Sequence, residues 1–296
     1  MKIFFNRAVL FTTLLFLSSC NDLVLLNPKG IIAEQQTNLL IISVLLMLIV
    51  VLPTIFISLY FAWKYHAKRQ EEYDPTFHHS TKIEVVCWGI PTIIVIILAI
   101  ITWITSHSLD PYKEIKSSKN DPIEIQAIAL DWKWLFVYPE QKIASVNWLQ
   151  IPVDTPINFK ITADAPMNSL WIPALAGQIY AMPGMQTKLH IMSDAPGDYL
   201  GRSSNYSGYG FSGMKFTTRV SSRQNFNKWV SKVKSSKENL NWERYSELAK
   251  QTTDHPVEYF KSVDPHLYHK IMDKFMNPDF GKDKASNKHN NKHLNH

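Results

Sequence analysis

The stretch "IEIQAIALDWKWLFVY", Ile123–Tyr138, holds two runs of β-branched and aromatic residues broken at Asp131. Short runs of this composition, closed by turn formers, read as β-strands. The pattern continues downstream in "SVNWLQI" (145–151), "INFKIT" (157–162), "SLWIP" (169–173), "QIYAM" (178–182), "TKLHIM" (187–192) and "MKFTTRV" (214–220). Turn-forming pieces such as "VDTP", "ADAP", "MPGM" and "DAPGD" separate them. No long helical period interrupts the series, so residues 110–221 are expected to form an all-β sandwich or barrel rather than a βαβ sheet.

Upstream the composition changes. Apolar residues make up 46% of the 296-residue chain and concentrate in its first 104 positions. Residues 39–63 carry no charge and are interrupted only by Pro53; residues 85–104 form a second apolar run, with Trp88 and Trp103 placed as interfacial anchors. Each is long enough to span a bilayer at ~1.5 Å per residue. Lys64, Lys68 and Arg69 follow the first run, against Lys29 alone in the segment between Cys20 and that run. The positive-inside rule therefore places the 64–84 loop in the cytoplasm, and both chain ends with the β domain outside.

The chain opens "MKIFFNRAVLFTTLLFLSSC". A basic start, a short apolar run and small residues before Cys20 read as a signal peptide over 1–19. Leu17-Ser18-Ser19-Cys20 has the form of a bacterial lipobox, in which the cysteine becomes the acylated first residue, carrying chains such as palmitate. An ordinary signal with a chance cysteine is the alternative. Residues 20–38 then form an external N-terminal segment.

After Ser221 the period changes. Phe226, Trp229, Val230 and Val233 recur at helical spacing, and "NWERYSELAKQ" and "PHLYHKIMDKFM" suggest further short helices, so 222–281 reads as a helical extension. The polar stretch 282–296, rich in His, Asn and Lys, has no apolar anchors and is expected to be disordered.

Net charge is +6, but the cations are scattered or flank apolar runs, which argues against a nucleic-acid surface. Cys20 and Cys87 both lie in or beside apolar segments, so no disulfide supports the β domain. No phosphate loop, nucleophile elbow, HExxH or CxxC is present. The segment "GRSSNYSGYGFSGM", Gly201–Met214, has the glycine spacing and lone methionine of a metal-binding loop without cysteine or histidine.

The lipobox, the apolar pair, "DWKWLFVYPE", "MNSLWIPALAGQIYAMPGMQTKLHI" and "PGDYLGRSSNYSGYGFSGMKF" together resemble subunit II of the haem–copper respiratory oxidases, from Cys20 to about Val220 and on into the C-terminal part. Within that family the chain is most similar to subunit II of the bo-type ubiquinol oxidases. The resemblance implies a two-helix membrane hairpin, a cupredoxin-like sandwich and a C-terminal helical extension. In the cytochrome c oxidase branch this domain carries a binuclear copper centre. The matching positions here are Asn168 and Phe211 for two histidines, Ser203 and Ser207 for two cysteines, and Asn205 for a glutamate; Met214 alone is kept. Neutral hydroxyls and a phenyl ring are poor copper ligands, so neither that centre nor a mononuclear blue-copper site is expected.

Loss of copper implies that electrons come from a membrane quinol rather than cytochrome c. The family's chemistry takes place in subunit I, which carries haem b, haem o and a copper and is reached by ubiquinol. Subunits I, III and IV would be the partners, in a bacterial inner membrane, and no cofactor or catalytic residue is expected in this chain. The resemblance also puts Glu84 at the entrance of a proton channel; a helix-start carboxylate at the interface is the plainer reading. Trp132 and Trp134 are expected to pack against the large subunit, and His190 to be structural or on the surface. A menaquinol oxidase subunit, or a membrane-anchored cupredoxin-like binding or assembly module, are the remaining alternatives.

Overall fold

The computed structural model describes residues 23–66, 79–115, 117 and 120–277. Cys20 with the proposed signal peptide, most of the 64–84 loop and the 282–296 tail lie outside them. The chain divides into a helical unit, Gln35–Asp110, and a second unit formed by what precedes and follows it.

The helical unit is built from α1 (Ile31–Lys64) and α2 (Thr81–Ser108), both long and apolar enough to cross a bilayer. At ~1.5 Å rise per residue α1 exceeds the ~30 Å hydrocarbon thickness. It runs beyond the uncharged stretch because Glu34–Asn38 contain neither glycine nor proline and simply continue the helix. Pro53 and Pro91 lie inside the helices. The neighbouring Thr54 and Thr92 hydroxyls donate to the carbonyls of Val50 and Trp88, 2.7 Å in each case. Proline has no N–H to donate, so the ladder is interrupted one residue earlier, at the carbonyls of Ile49 and Cys87.

The second unit is a sandwich. Its strands are β1 (Ile123–Leu130), β2 (Lys133–Tyr138), β3 (Ile143–Val146), β4 (Trp148–Pro152), β5 (Ile157–Ala163), β6 (Asn168–Trp171), β7 (Ile179–Ala181), β8 (Thr187–Ile191), β9 (Gly197–Ser203) and β10 (Lys215–Ser221). Farther on come α3 (Arg223–Lys234), β11 (Asn239–Leu240), α4 (Trp242–Leu248), β12 (Glu258–Phe260), β13 (Ser262–Val263) and α5 (Leu267–Met276). One sheet has the order β12-β3-β2-β1-β5-β8, the other β4-β10-β9-β6-β7. Between them lies a core that includes Ile125, Trp134, Phe136, Tyr138, Ile151, Phe159 and Phe216. This is the expected cupredoxin-like sandwich.

Strands β1–β3 are covered on their other face as well. Ile128, Leu130, Leu135, Val137, Ala144 and Val146 pack against Leu240, Tyr245, Leu248, Phe260, Leu267 and Ile271 of the C-terminal region. Two-sided burial explains why "AIAL" and "WLFVY" lack a polar alternation.

Three features depart from the strand pattern read in the sequence. Asn147, at φ 54°, breaks "SVNWLQI" into β3 and β4, which belong to different sheets. Its left-handed backbone suits asparagine better than most residues. β9 was not expected, since "GDYLGRS" has two glycines and weak β propensity; pairing with β10 and β6 on either side overrides this. The 222–281 region is not an all-helical extension. β12 pairs antiparallel with β3 and covers that sheet edge, where exposed backbone groups would otherwise invite association.

The N-terminal segment is also ordered more tightly than its composition suggests. Gly30 bridges to Ser193, Lys29 N donates to Ala174 O at 2.8 Å, and Ser193 Oγ donates to Lys29 O at 2.8 Å. A Cβ on Gly30 would lie 2.8 Å from Leu175 O and 2.9 Å from Met192 O, so only glycine allows this approach.

Candidate functional site

The glycine-rich stretch begins as the end of β9 and closes with a 3-10 turn, Tyr209–Gly213, before β10. Its glycines are where aromatic rings press on the backbone. A Cβ on Gly201 would fall 2.1 Å from the Phe216 ring, and one on Gly210 would fall 2.4 Å from Trp132. Gly208, at φ 113°, also lies beneath the Trp132 ring. Trp132 itself takes φ 61° in the β1–β2 turn and donates from Nε1 to Ser207 O at 3.2 Å. The loop therefore owes its shape to packing on an indole.

Of the positions matched to copper ligands, Asn168 and Ser203 meet: Ser203 Oγ donates to Asn168 Oδ1 at 2.8 Å, and both residues are buried. Asn168 Nδ2 donates to Pro166 O at 2.7 Å. Buried Met214 accepts at its carbonyl from Ser203 N at 3.1 Å. Ser203, Phe211 and Met214 share the wall of one cleft. The others turn to different partners. Asn205 Nδ2 donates to Met167 O at 2.8 Å, the Phe211 ring meets Tyr206 edge-on at 5.6 Å, and Ser207 Oγ is buried with no hydrogen-bond partner among the described residues. What converges is amide, hydroxyl and thioether, with the Asn168 amide and the Ser203 hydroxyl already committed to protein hydrogen bonds. This donor set does not suit copper, which in such a site calls for thiolate and imidazole. Among the described residues no group of three or more His, Cys, Asp or Glu is placed to hold a metal.

Trp134 overturns one expectation. Alternation along β2 turns it inward, where it is fully buried against Phe136 and Phe216, with ring centroids 6.5 and 6.1 Å away. It has no surface to offer another subunit. Trp132, half-buried over Gly208 and Gly210, serves the loop. His190 is buried on β8 with Nδ1 2.8 Å from Asn158 Oδ1, and burial lowers its pKa. Glu84 occupies the first turn of α2, where Oε1 lies 2.8 Å from His79 Nδ1.

Sequence reasoning missed two polar clusters that join the C-terminal region to the sandwich. Asp164, after β5, is buried and accepts from Tyr245 Oη at 2.7 Å and from Lys274 Nζ at 2.6 Å. Lys133, buried on β2, donates to Lys250 O at 2.7 Å and Thr252 Oγ1 at 2.6 Å. Desolvation pulls the Lys133 ammonium down to about 8, against the opposing pull of Asp131 and Glu258. Nearby, His255 Nε2 lies 2.9 Å from Glu258 Oε1, whose other oxygen accepts from Arg244 at 2.7 Å. Partners as distant as Lys133 and Lys250, or Asp164 and Lys274, leave no local pattern to read.

Two family models match the chain: the periplasmic domain of cytochrome c oxidase subunit II over residues 140–220, and the COX aromatic-rich motif over residues 234–279. The ubiquinol oxidase subunit 2 of Acetobacter aceti is 52% identical over 265 residues, 89% of this chain and 86% of that protein. The cytochrome bo(3) ubiquinol oxidase subunit 2 of Pseudomonas aeruginosa is 48% identical, covering 92% of this chain and 82% of that one. The quinol oxidase subunit 2 of Bacillus cereus is 39% identical, covering 80% and 82%. With its sandwich, its aromatic C-terminal region and relatives matched over most of their length, the chain belongs to the ubiquinol oxidase subunit 2 family.

Proposed function

We propose that this chain is subunit II of a proton-pumping terminal ubiquinol oxidase, and that it docks its external domain in the complex without a redox centre of its own. The observation that carries the reading is the donor set at Asn168, Ser203, Ser207 and Phe211, which removes the copper entry point while the surrounding fold is kept. Electrons then reach the large subunit directly from quinol. Subunit I, with haem b, haem o and copper, carries out the reduction of oxygen, and subunits III and IV complete the complex. Ubiquinol is favoured because the relatives at 52% and 48% identity are named ubiquinol oxidase subunits, whereas the Bacillus relative at 39% is named only as a quinol oxidase subunit. No observation favours a free binding or assembly module.

The same reading places the protein in a bacterial inner membrane. The chain crosses twice, with both ends and the sandwich on the periplasmic side and Cys20 lipidated. Positive-inside asymmetry around α1 and the signal-like start support this topology. Purified complex supplied with ubiquinol should consume oxygen, whereas reduced cytochrome c should support no turnover above background. Sustained cytochrome c oxidation would defeat the proposal.

A further inference from the structure

The cleft beside the copper-less loop has an unusual floor. Trp171 on β6 is the register partner of Arg202 on β9, and Arg202 is in turn the partner of Lys215 on β10. One row across three strands therefore reads aromatic, cation, cation. Like charges directly opposite on neighbouring strands are destabilising, so such a pair calls for a compensating anion. Among the described residues neither Arg202 nor Lys215 makes an ion pair. Asp198, farther along β9, is held by Arg219 at 2.7 and 2.5 Å. Asp254, which closes on Gly213, pairs with neither cation.

The row lines a cleft of about 470 Å³, with Phe211, Ser212 and Met214 also in its wall. That volume lies within the range of small-ligand sites, ~300–1,000 Å³. Its serines at the base are already engaged, Ser203 with Asn168 and Ser204 with Gln178. The unsatisfied charge is thus cationic, and apart from the exposed Ser212 the rest of the wall is aromatic or thioether. A carboxylate on a short apolar stem fits both requirements: an arginine fork takes its two oxygens, and the stem lies on the rings.

We propose that this cleft receives an acidic side chain from an external loop of a neighbouring oxidase subunit, held between Arg202 and Lys215 with its stem against Trp171 and Phe211. The inference rests on the chain being an oxidase subunit. It gives the face beside the matched copper positions a use of its own, as a socket that fixes the sandwich in the complex.

The test places a photo-crosslinking residue at Ser212, which is exposed, in the complete membrane complex. The expected product joins this chain to another oxidase subunit at a loop bearing Asp or Glu. In Arg202→Gln/Lys215→Met the yield should fall about tenfold, the change expected on losing a charge-assisted pair. Arg202→Lys/Lys215→Arg should largely retain it, as should Arg219→Gln, which removes a cation that already has its carboxylate. Crosslinks to phospholipid alone, competition by inorganic phosphate with no protein product, or an unchanged yield in the Gln/Met variant would overturn the socket. If the complex stays active while Ser212 crosslinks to no subunit, only this inference fails. If the chain purifies without other oxidase subunits, the functional reading fails with it.

Discussion

At the residue scale, the Gly201–Met214 loop holds its form because glycines admit aromatic rings. Gly210 lies against the Trp132 indole, and an added methyl would sit 2.4 Å from a ring carbon. Trp132 cannot retreat freely, since its Nε1 is bonded to Ser207 O and its backbone is fixed in the left-handed region. Gly210→Ala should therefore cost about 1–3 kcal/mol, the usual penalty of overpacking. Thermal unfolding of the external domain within the purified complex, followed by tryptophan fluorescence, checks this. An unshifted midpoint would mean that the loop can move away from the indole. The importance of Gly210 was not legible in "GYGFSG", because the ring it meets lies far upstream. The absence of thiolate and imidazole at Ser203, Ser207, Asn168 and Phe211 was legible at once, since side-chain chemistry does not depend on conformation.

At the element scale, the segment between α4 and β12 is strapped to the sandwich by titratable groups. His255 sits between Thr252 and Glu258, with its Nδ1 3.1 Å from the threonine hydroxyl. Desolvation lowers its pKa, opposed by Glu258, so the unfolded chain binds a proton at higher pH than the folded one. Its stabilising contribution is complete above the ordinary histidine pKa of ~6.5 and is lost as pH falls below it. Lys133 acts with the same sign in a different window. Its ammonium is lowered from 10.5 to about 8, so the strap gains as pH rises through 8 toward 10.5. Hydrogen exchange over residues 249–258 should accordingly slow, after correction for intrinsic rates, from pH 5.5 to 9.5. Lys133→Met should abolish the gain above pH 8 and leave the acidic limb intact; an unaltered alkaline limb would refute the assignment. Helical spacing in α3 was readable because Phe226, Trp229, Val230 and Val233 repeat locally, and all four are buried. The strand character of β12 was not readable, because three residues acquire it only by pairing with β3.

At the scale of the whole molecule, two apolar helices and a periplasmic-type sandwich make this a membrane-anchored subunit whose surfaces matter through their neighbours. Glu84 is the exposed carboxylate that most directly separates a functional from a structural role. If it feeds a proton channel of the complex, Glu84→Gln should lower proton translocation per oxygen consumed in reconstituted vesicles. A helix-start carboxylate should affect only folding, because its pairing with His79 and the helix end is worth about 0–1 kcal/mol in an exposed setting. Unchanged pumping with normal assembly would return Glu84 to that structural role.

The sequence alone determined what depends on composition and short periodicity: two segments apolar enough for lipid, a β domain punctuated by turns, and a loop without thiolate or imidazole. Tertiary structure decided which distant residues became neighbours. It turned Trp134 into the core, inserted β9 between β10 and β6, buried Asp164 between Tyr245 and Lys274, and aligned Trp171, Arg202 and Lys215 in one row. The physical reason is strand register. A shift of one residue moves every side chain to the opposite face, and register is set by contacts between segments far apart in the chain.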